Sequence, residues 1–379
     1  MKQTASIIST YTADAMGVCS ALFELGGMTV MHDASGCNST YNTHDEPRWY
    51  DMDSLVFISG LSEMEAIMGD DAKLVNDIVR AAGDLHPAFI AVAGTPIPMM
   101  TGIDLPAIAQ LAEKRTGIPA FGFDTNGMHS YLAGASQAWL ALARRFLPDS
   151  VPREARTVNI LGATPLDFSV NGSVDSLRRW LGEQGWQVGA TWAMGSTLAE
   201  LQTSGRAAVN LVISYSGLAL ARFLQERYGA PYVVGLPLGQ AFGQVVQKQL
   251  RDAAADGQPR VAYTGREDTA QAETAVIGES VSAGSLAAAL TLEQGLAVRV
   301  LCPLETEDAL LNAGDRVAPD EDDLTPELAQ VQTLIADPLY KPIFRGPRFL
   351  SWPHEGFSGR IFRRDIPDLT YQLDNRFTL

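Results

Sequence analysis

Three Rossmann-like α/β domains, each a mostly parallel sheet with flanking helices, are what this sequence predicts, and three observations predict them. Short apolar runs alternate with amphipathic stretches along the whole chain, the pattern of parallel βαβ units covered on both faces. The 379 residues exceed what one core holds, at about 150 residues per domain. Two polar breaks divide them, a linker at 147–153 that contains Pro148 and Pro152, and the run Gly265-Arg266-Glu267-Asp268. The expected domains are 1–150, 151–265 and 266–379, the last ending in a C-terminal tail.

In the first domain the pattern predicts a helix over 13–25 and a strand over 28–31. A second buried strand at 55–59 precedes helices over 63–68 and 72–82. A third strand at 89–93 runs into Gly94, Thr95, Pro96, Ile97 and Pro98, where two prolines are expected to forbid an immediate helix. A helix over 103–115, a strand over 119–123 and a capping turn at 124–127 lead into a long helix over 131–146. The second domain should hold strands at 157–161, 186–190, 209–214 and 232–235, with helices over 173–183, 198–204, 218–228 and 240–255. In the third, a strand at 274–278 is followed by a helix over 282–292, a strand over 297–302 and a helix over 326–335. Val158 to Gly162 and Ala275 to Gly278 each open a unit of about thirty residues, the usual βαβ size.

Bulk properties exclude several function classes. A formal charge of −16 argues against nucleic acid or an anionic membrane as the main partner, since both reward clustered Lys and Arg. No apolar run approaches the roughly 18 residues that span a bilayer, and the first residues lack a signal-peptide pattern, so a cytoplasmic protein is expected. The cysteines Cys19, Cys37 and Cys302 are far apart and form no Cys-x-x-Cys pair, which excludes a disulfide scaffold and a four-cysteine metal centre held by this chain alone. Neither glycine-rich turn completes the dinucleotide fingerprint and no G-x-x-x-x-G-K-[ST] loop occurs, so the chain is expected to bind no nucleotide.

The pair Gly36-Cys37 lies just past the apolar run 28–31, on a turn leaving the carboxyl end of a strand, where open α/β sheets bind ligands. The run that follows, with His44, Asp45, Glu46, Arg48, Trp49, Tyr50 and Asp51, has no periodicity and reads as a functional loop. A thiolate suits iron, and a glycine beside it lets the backbone approach a cluster. On the residues alone, a buried free cysteine remains the alternative. Asp33, His44 and Asp45 are candidates for an oxygen or nitrogen ligand, or for a solvated loop. Arg48, Trp49 and Tyr50 fit either a subunit interface or packing on their own domain. Cys19 reads as helix core, Cys302 as strand packing and His32 as structural. His354, between Trp352 and Phe357, is either a packed, hydrogen-bonded histidine or a proton donor at a cavity.

Taken in order, Gly17 followed by a helix, Ser35-Gly36-Cys37, Phe57-Ile58-Ser59-Gly60 with Glu63 and Glu65, Ile90 to Thr95, and Asp124-Thr125-Asn126-Gly127 resemble component 1 of the nitrogenase-like reductases. Pro353 to Arg360 resembles that family's late loop, and the resemblance covers nearly the whole chain. It implies an iron–sulfur cluster, P-cluster-like or 4Fe-4S, shared at a subunit interface, with Cys37 as a metal ligand and Gly36 beside it. Ala13 and Pro96 stand where the family pattern carries cysteines, so a partner would give most of the ligands. Cys302 sits in no matching motif and His354 matches loosely, so the resemblance implies a β-type subunit. Its expected partners are a homologous α-type subunit, in an α2β2 heterotetramer, and an ATP-dependent iron protein. Reductive carbon–sulfur cleavage of methylthio-alkanes is the preferred reaction; the alternatives are a scaffold subunit for cofactor assembly and a metal-free Rossmann-type binding protein.

Overall fold

Fourteen strands build three separate sheets among residues 5–7, 12–34 and 46–377, which the computed structural model describes. All strand pairings within them are parallel.

Around the first sheet the order is α1 (Asp14–Leu22), β1 (Met28–His32), β2 (Leu55–Ile58), α2 (Glu63–Met68), α3 (Ala72–Leu85), β3 (Ile90–Gly94), α4 (Pro96–Thr101), α5 (Leu105–Thr116), β4 (Ala120–Phe123) and α6 (Tyr131–Phe146). Its strands lie in the order β2-β1-β3-β4. Every residue of β1 and β3 is buried, as expected of parallel strands covered on both faces. Helices α1 and α6 touch through their backbones. A Cβ on Gly17 would lie 2.0 Å from the Tyr131 carbonyl oxygen, and one on Gly134 would lie 1.8 Å from that of Asp14.

The second sheet follows with β5 (Glu154–Leu161), α7 (Pro165–Phe168), α8 (Ser173–Glu183), β6 (Gln187–Trp192), α9 (Leu198–Leu201), β7 (Ala207–Val212), α10 (Leu218–Tyr228), β8 (Tyr232–Val234), α11 (Gln240–Asp256) and β9 (Arg260–Val261), in the order β6-β5-β7-β8-β9. The third comprises β10 (Thr274–Ile277), α12 (Ser280–Gln294), β11 (Val298–Cys302), β12 (Arg316–Val317), α13 (Glu321–Glu327), β13 (Thr333–Ala336), β14 (Arg348–Ser351), α14 (Glu355–Ser358) and α15 (Leu369–Arg376), in the order β12-β11-β10-β13-β14. One apolar core runs from Phe89 and Trp139 through Leu161 and Trp192 to Val276 and Leu286, so the sheets are welded together. No described helix is long and apolar enough to cross a membrane.

Two sequence expectations are corrected. The stretch at Pro96 is a helix at once, with prolines at the first and third positions of α4. The first-turn N–H groups have no intrahelical acceptor, so proline loses nothing there. Residues 326–335 are not one helix: Asp320 caps α13, which ends at Glu327, and 333–336 form a strand beside β10. Leu334, Ile335 and Ala336 are fully buried, and a short apolar run buried on all sides carries no period that separates helix from strand.

Candidate functional site

A parallel sheet whose strand order reverses leaves a crevice at the carboxyl ends of the two strands where it reverses. In this chain the reversals fall between β1 and β3, β5 and β7, and β10 and β13.

The first crevice opens where the chain leaves β1. Asp33 and Ala34 continue from β1, after which Gly36, Cys37, His44 and Asp45 lie outside the described residues. The ends of the neighbouring strands are tied together by side chains. The Thr95 hydroxyl, just past β3, donates to Asp33 Oδ1 at 2.7 Å and so ties the two strand ends across the crevice. The Asp33 amide donates to Ser59 Oγ at 3.1 Å, and His32 Nδ1 lies 2.8 Å from the same hydroxyl. Burial holds the His32 imidazole below its usual pKa, which favours the neutral ring expected of a structural histidine. Thr125 Oγ1 takes the Gly94 amide at 2.8 Å and donates to the Gly94 carbonyl at 2.9 Å. The buried Asp14 carboxylate accepts the amides of Asn126 and Gly127 at 3.0 and 2.8 Å. Ala13, bridged to Ser130, and Pro96, packed on Gly127, therefore flank one turn that neighbours the end of β1.

Downstream, the chain is anchored by a buried arginine. Arg48 donates from Nε to Glu46 Oε1 at 2.6 Å, and from its terminal nitrogens to Glu24 Oε1 at 2.8 Å and the Ser20 carbonyl at 2.7 Å. Its guanidinium lies 4.8 Å from the Phe23 ring centroid, and Trp49 packs on the same ring. Arg48 and Trp49 thus pack on their own part of the chain, whereas Tyr50 is 73% exposed. Nothing in the local sequence pointed to Glu24, which the turn after α1 brings to Arg48 from 24 residues away.

Two of the three cysteines are buried as free thiols. Cys19 is enclosed by Phe23, Met31 and Val56, and Cys302 ends β11 with its sulfur 3.5 Å from the Leu304 carbonyl. Burial, followed by the charge of Glu46 for Cys19 and of Glu279 for Cys302, pushes both thiols up. Among the described residues, no group of three or more His, Cys, Asp or Glu side chains is placed to hold a metal ion.

The other two crevices face each other and are filled by acids. Glu279, at the end of β10, accepts the amides of Val281 and Ser282 at 2.9 Å and of Tyr215 at 3.0 Å, across from the loop after β7. Asp337, after β13, accepts the amides of Leu339 and His354 at 2.9 Å and the Ser358 hydroxyl at 2.7 Å. Burial raises both carboxyl pKa values, and nearby Asp167 adds to the rise at Glu279. Asp167 accepts the Tyr131 hydroxyl, whose own pKa burial pushes up. His354 Nδ1 accepts the Gly356 amide at 3.1 Å, and its ring stacks on Phe357. Its Nε2 lies 3.3 Å from Asp167 Oδ1 but is not directed at it and makes no hydrogen bond. It lines a cavity of about 50 Å³ closed by Ile366, Pro367 and Asp368. That is room for one or two water molecules. Both features expected of His354 are present, packing and a cavity, and the cavity is too small for a large cofactor.

Residues 14–305 match the family model described as Nitrogenase component 1 type Oxidoreductase. The chain is 27% identical over 274 residues to the nitrogenase iron-molybdenum cofactor biosynthesis protein NifE of Klebsiella pneumoniae, covering 68% of this chain and 57% of that protein. It is 26% identical over 185 residues to the nitrogenase molybdenum-iron protein alpha chain of Clostridium pasteurianum, covering 47% of this chain and 33% of that one. With a light-independent protochlorophyllide reductase subunit of Nostoc punctiforme the figures are 27% over 181 residues, 45% and 36%. The chain therefore spans between about a third and just over half the length of these relatives. A solved structure titled Nitrogenase Cp1 at pH 5 superposes with a TM-score of 0.59 at 18% identity, over 86% of this chain and 72% of that one, a likeness of fold.

Proposed function

Because this chain belongs to the nitrogenase component 1 type oxidoreductase family, we propose that it is the electron-relaying, β-type subunit of a nitrogenase-like reductase, with Cys37 holding an iron–sulfur cluster shared with a second chain. The observation that carries this reading is where the other thiols sit: Cys19 and Cys302 are buried in apolar clusters, and among the described residues no group of three or more potential metal ligands forms, which leaves Cys37 as the candidate. An iron–sulfur cluster bound there would supply a one-electron relay. The chain's own part is mechanical and electrostatic. Asp33 and Thr95 fix the end of β1 ahead of Cys37, Arg48 fixes the chain downstream of it, and Gly36 carries no side chain to oppose close approach. The absence of a second available thiolate among the described residues supports a partner that gives most of the ligands, in an α2β2 assembly. The buried Cys302 supports placing any catalytic group in that partner, with an ATP-dependent iron protein as the electron source.

Reductive carbon–sulfur cleavage of a methyl thioether is the preferred reaction: two electrons and two protons convert R–S–CH3 to R–H and CH3–SH. A second reading, a subunit of a cofactor-assembly scaffold, is favoured by the match to NifE, which covers the largest share of this chain among the relatives above. Two experiments decide. Cys37→Ala, introduced into the complex purified through a tag on this chain, is expected to remove the interface iron and its visible absorbance; unchanged iron and spectrum would overturn the relay. Supplied with an iron protein, ATP and a strong reductant, the intact complex is expected to release hydrocarbon and thiol from small methyl thioethers. Iron without product favours the scaffold.

A further inference from the structure

Where the elements of the three sheets meet, α6 contributes Tyr131, α7 contributes Asp167, and the loop after β14 contributes His354. All three are buried, and Leu166, Phe357 and other apolar side chains surround them. One hydrogen bond fixes the histidine tautomer. The Gly356 amide donates to Nδ1 at 3.1 Å, so Nδ1 is an acceptor and the neutral ring carries its proton on Nε2. Nε2–H is then a buried donor, and it has no acceptor among the described residues. Asp167 Oδ1, 3.3 Å away, is out of its direction and already takes the Tyr131 hydroxyl. A donor that loses its hydration on burial is paired, as a rule, by the protein or by an ordered water.

The space for such a partner lies beside the ring. His354 and Asp167 both line the cavity of about 50 Å³, whose other polar walls are Ser173, Ser282 and Asp368. A buried water needs about 10–15 Å³ of such space and two to four polar partners. Other occupants fit less well. A metal ion would take Nε2 only if Nδ1 carried the proton and donated it, and the Gly356 amide faces Nδ1. An anion would meet the carboxylates of Asp167 and Asp368, and an apolar guest would leave Nε2–H unpaired. We propose that this cavity is a specific water site, in which one water accepts from His354 Nε2 and donates to Asp167. It completes a hydrogen-bonded chain, Tyr131–Asp167–water–His354, that ties the elements of the three sheets together. His354 is thereby a neutral donor and not a metal ligand, a conclusion that does not depend on a cluster at Cys37.

The test is a mutant cycle in the full-length chain, read by thermal unfolding. Val174→Ile adds one methylene at the cavity wall, where it competes with the water for space. Filling a dry cavity stabilises a protein. Here V174I is expected to lower the melting temperature by about 3 °C, because the donor loses its partner. In the H354F background, where a ring remains and the donor is gone, the same V174I change is expected to leave the melting temperature level or raise it. A high-resolution crystal structure is expected to show a solvent oxygen within about 3.2 Å of both Nε2 and an Asp167 oxygen, and to lose it in V174I. H354Q keeps a donor at similar reach and is expected to leave the iron content of the purified complex unchanged. A higher melting temperature for V174I alone, an equal cost in both backgrounds, or no solvent oxygen or a larger molecule at that position would each overturn the water site. Iron lost in H354Q at an unchanged melting temperature would make His354 a metal ligand and overturn it as well. Cys37→Ala fails or succeeds separately: it tests the cluster, and the cycle tests the cavity.

Discussion

The crevice between β1 and β3 and the paired crevices of the second and third sheets are the same topological device put to opposite uses. At the junction, the Glu279 carboxylate accepts four hydrogen bonds from this chain and that of Asp337 three, and a segment near the C-terminus closes what space is left. At β1/β3 the strand ends are tied just as firmly by Asp33, Ser59, Thr95 and Thr125, yet the neighbouring helices present apolar side chains to solvent. A strand-order reversal therefore marks where a site can be. Whether it is one depends on what the loops leave unsatisfied.

The largest effect expected from breaking this contrast is at Arg48. Arg48→Met removes the cation buried between Glu24 and Glu46 and should cost about 3–5 kcal/mol in denaturant unfolding, with iron lost from the complex as the downstream anchor of the cysteine loop goes. Gly134→Ala comes next, at about 3 kcal/mol, because the new Cβ meets the Asp14 backbone, which cannot yield. It should disturb both regions, since Asp14 braces the first crevice and α6 carries Tyr131 into the junction.

Tyr131→Phe sharpens the comparison. Leaving Asp167 without its donor should cost about 2 kcal/mol, with iron content and absorbance of the complex unchanged; a drop in iron would make the junction part of the working site. Thr95→Val should cost only about 1 kcal/mol, yet lower the iron retained after gel filtration, since it frees one end of the cysteine loop.

The smallest effects are those of pH, and the two regions respond in opposite senses. His32 has a lowered pKa, so the unfolded chain takes up its proton first; the stability it lends is complete above the ordinary histidine value of about 6.5 and is lost as pH falls through the lowered one. Glu279 and Asp337 have raised values, so their contribution is complete below the ordinary carboxylate range and is lost as pH rises through the raised ones. Amide protection, corrected for the intrinsic pH dependence of exchange, should fall at β1 towards acid, and at the starts of α12 and of the 3-10 helix Pro338–Ile343 as pH rises. The same direction in both places would remove this account.

The sequence by itself determined the class of fold, most of the elements, and the cysteine worth watching. Buried parallel strands read as unbroken apolar runs, and glycine and proline mark where they stop. It misjudged Pro96, where proline costs nothing at a helix start, and 326–335, where a short buried run has no period. It read Cys19 as helix core and Cys302 as strand packing, and both are buried; it could not see that Glu24 meets Arg48 or that α2 turns its methionines outward. Those facts depend on which surfaces the folded chain covers, and burial, not residue type, decides whether a thiol is a ligand or a methionine stripe is core.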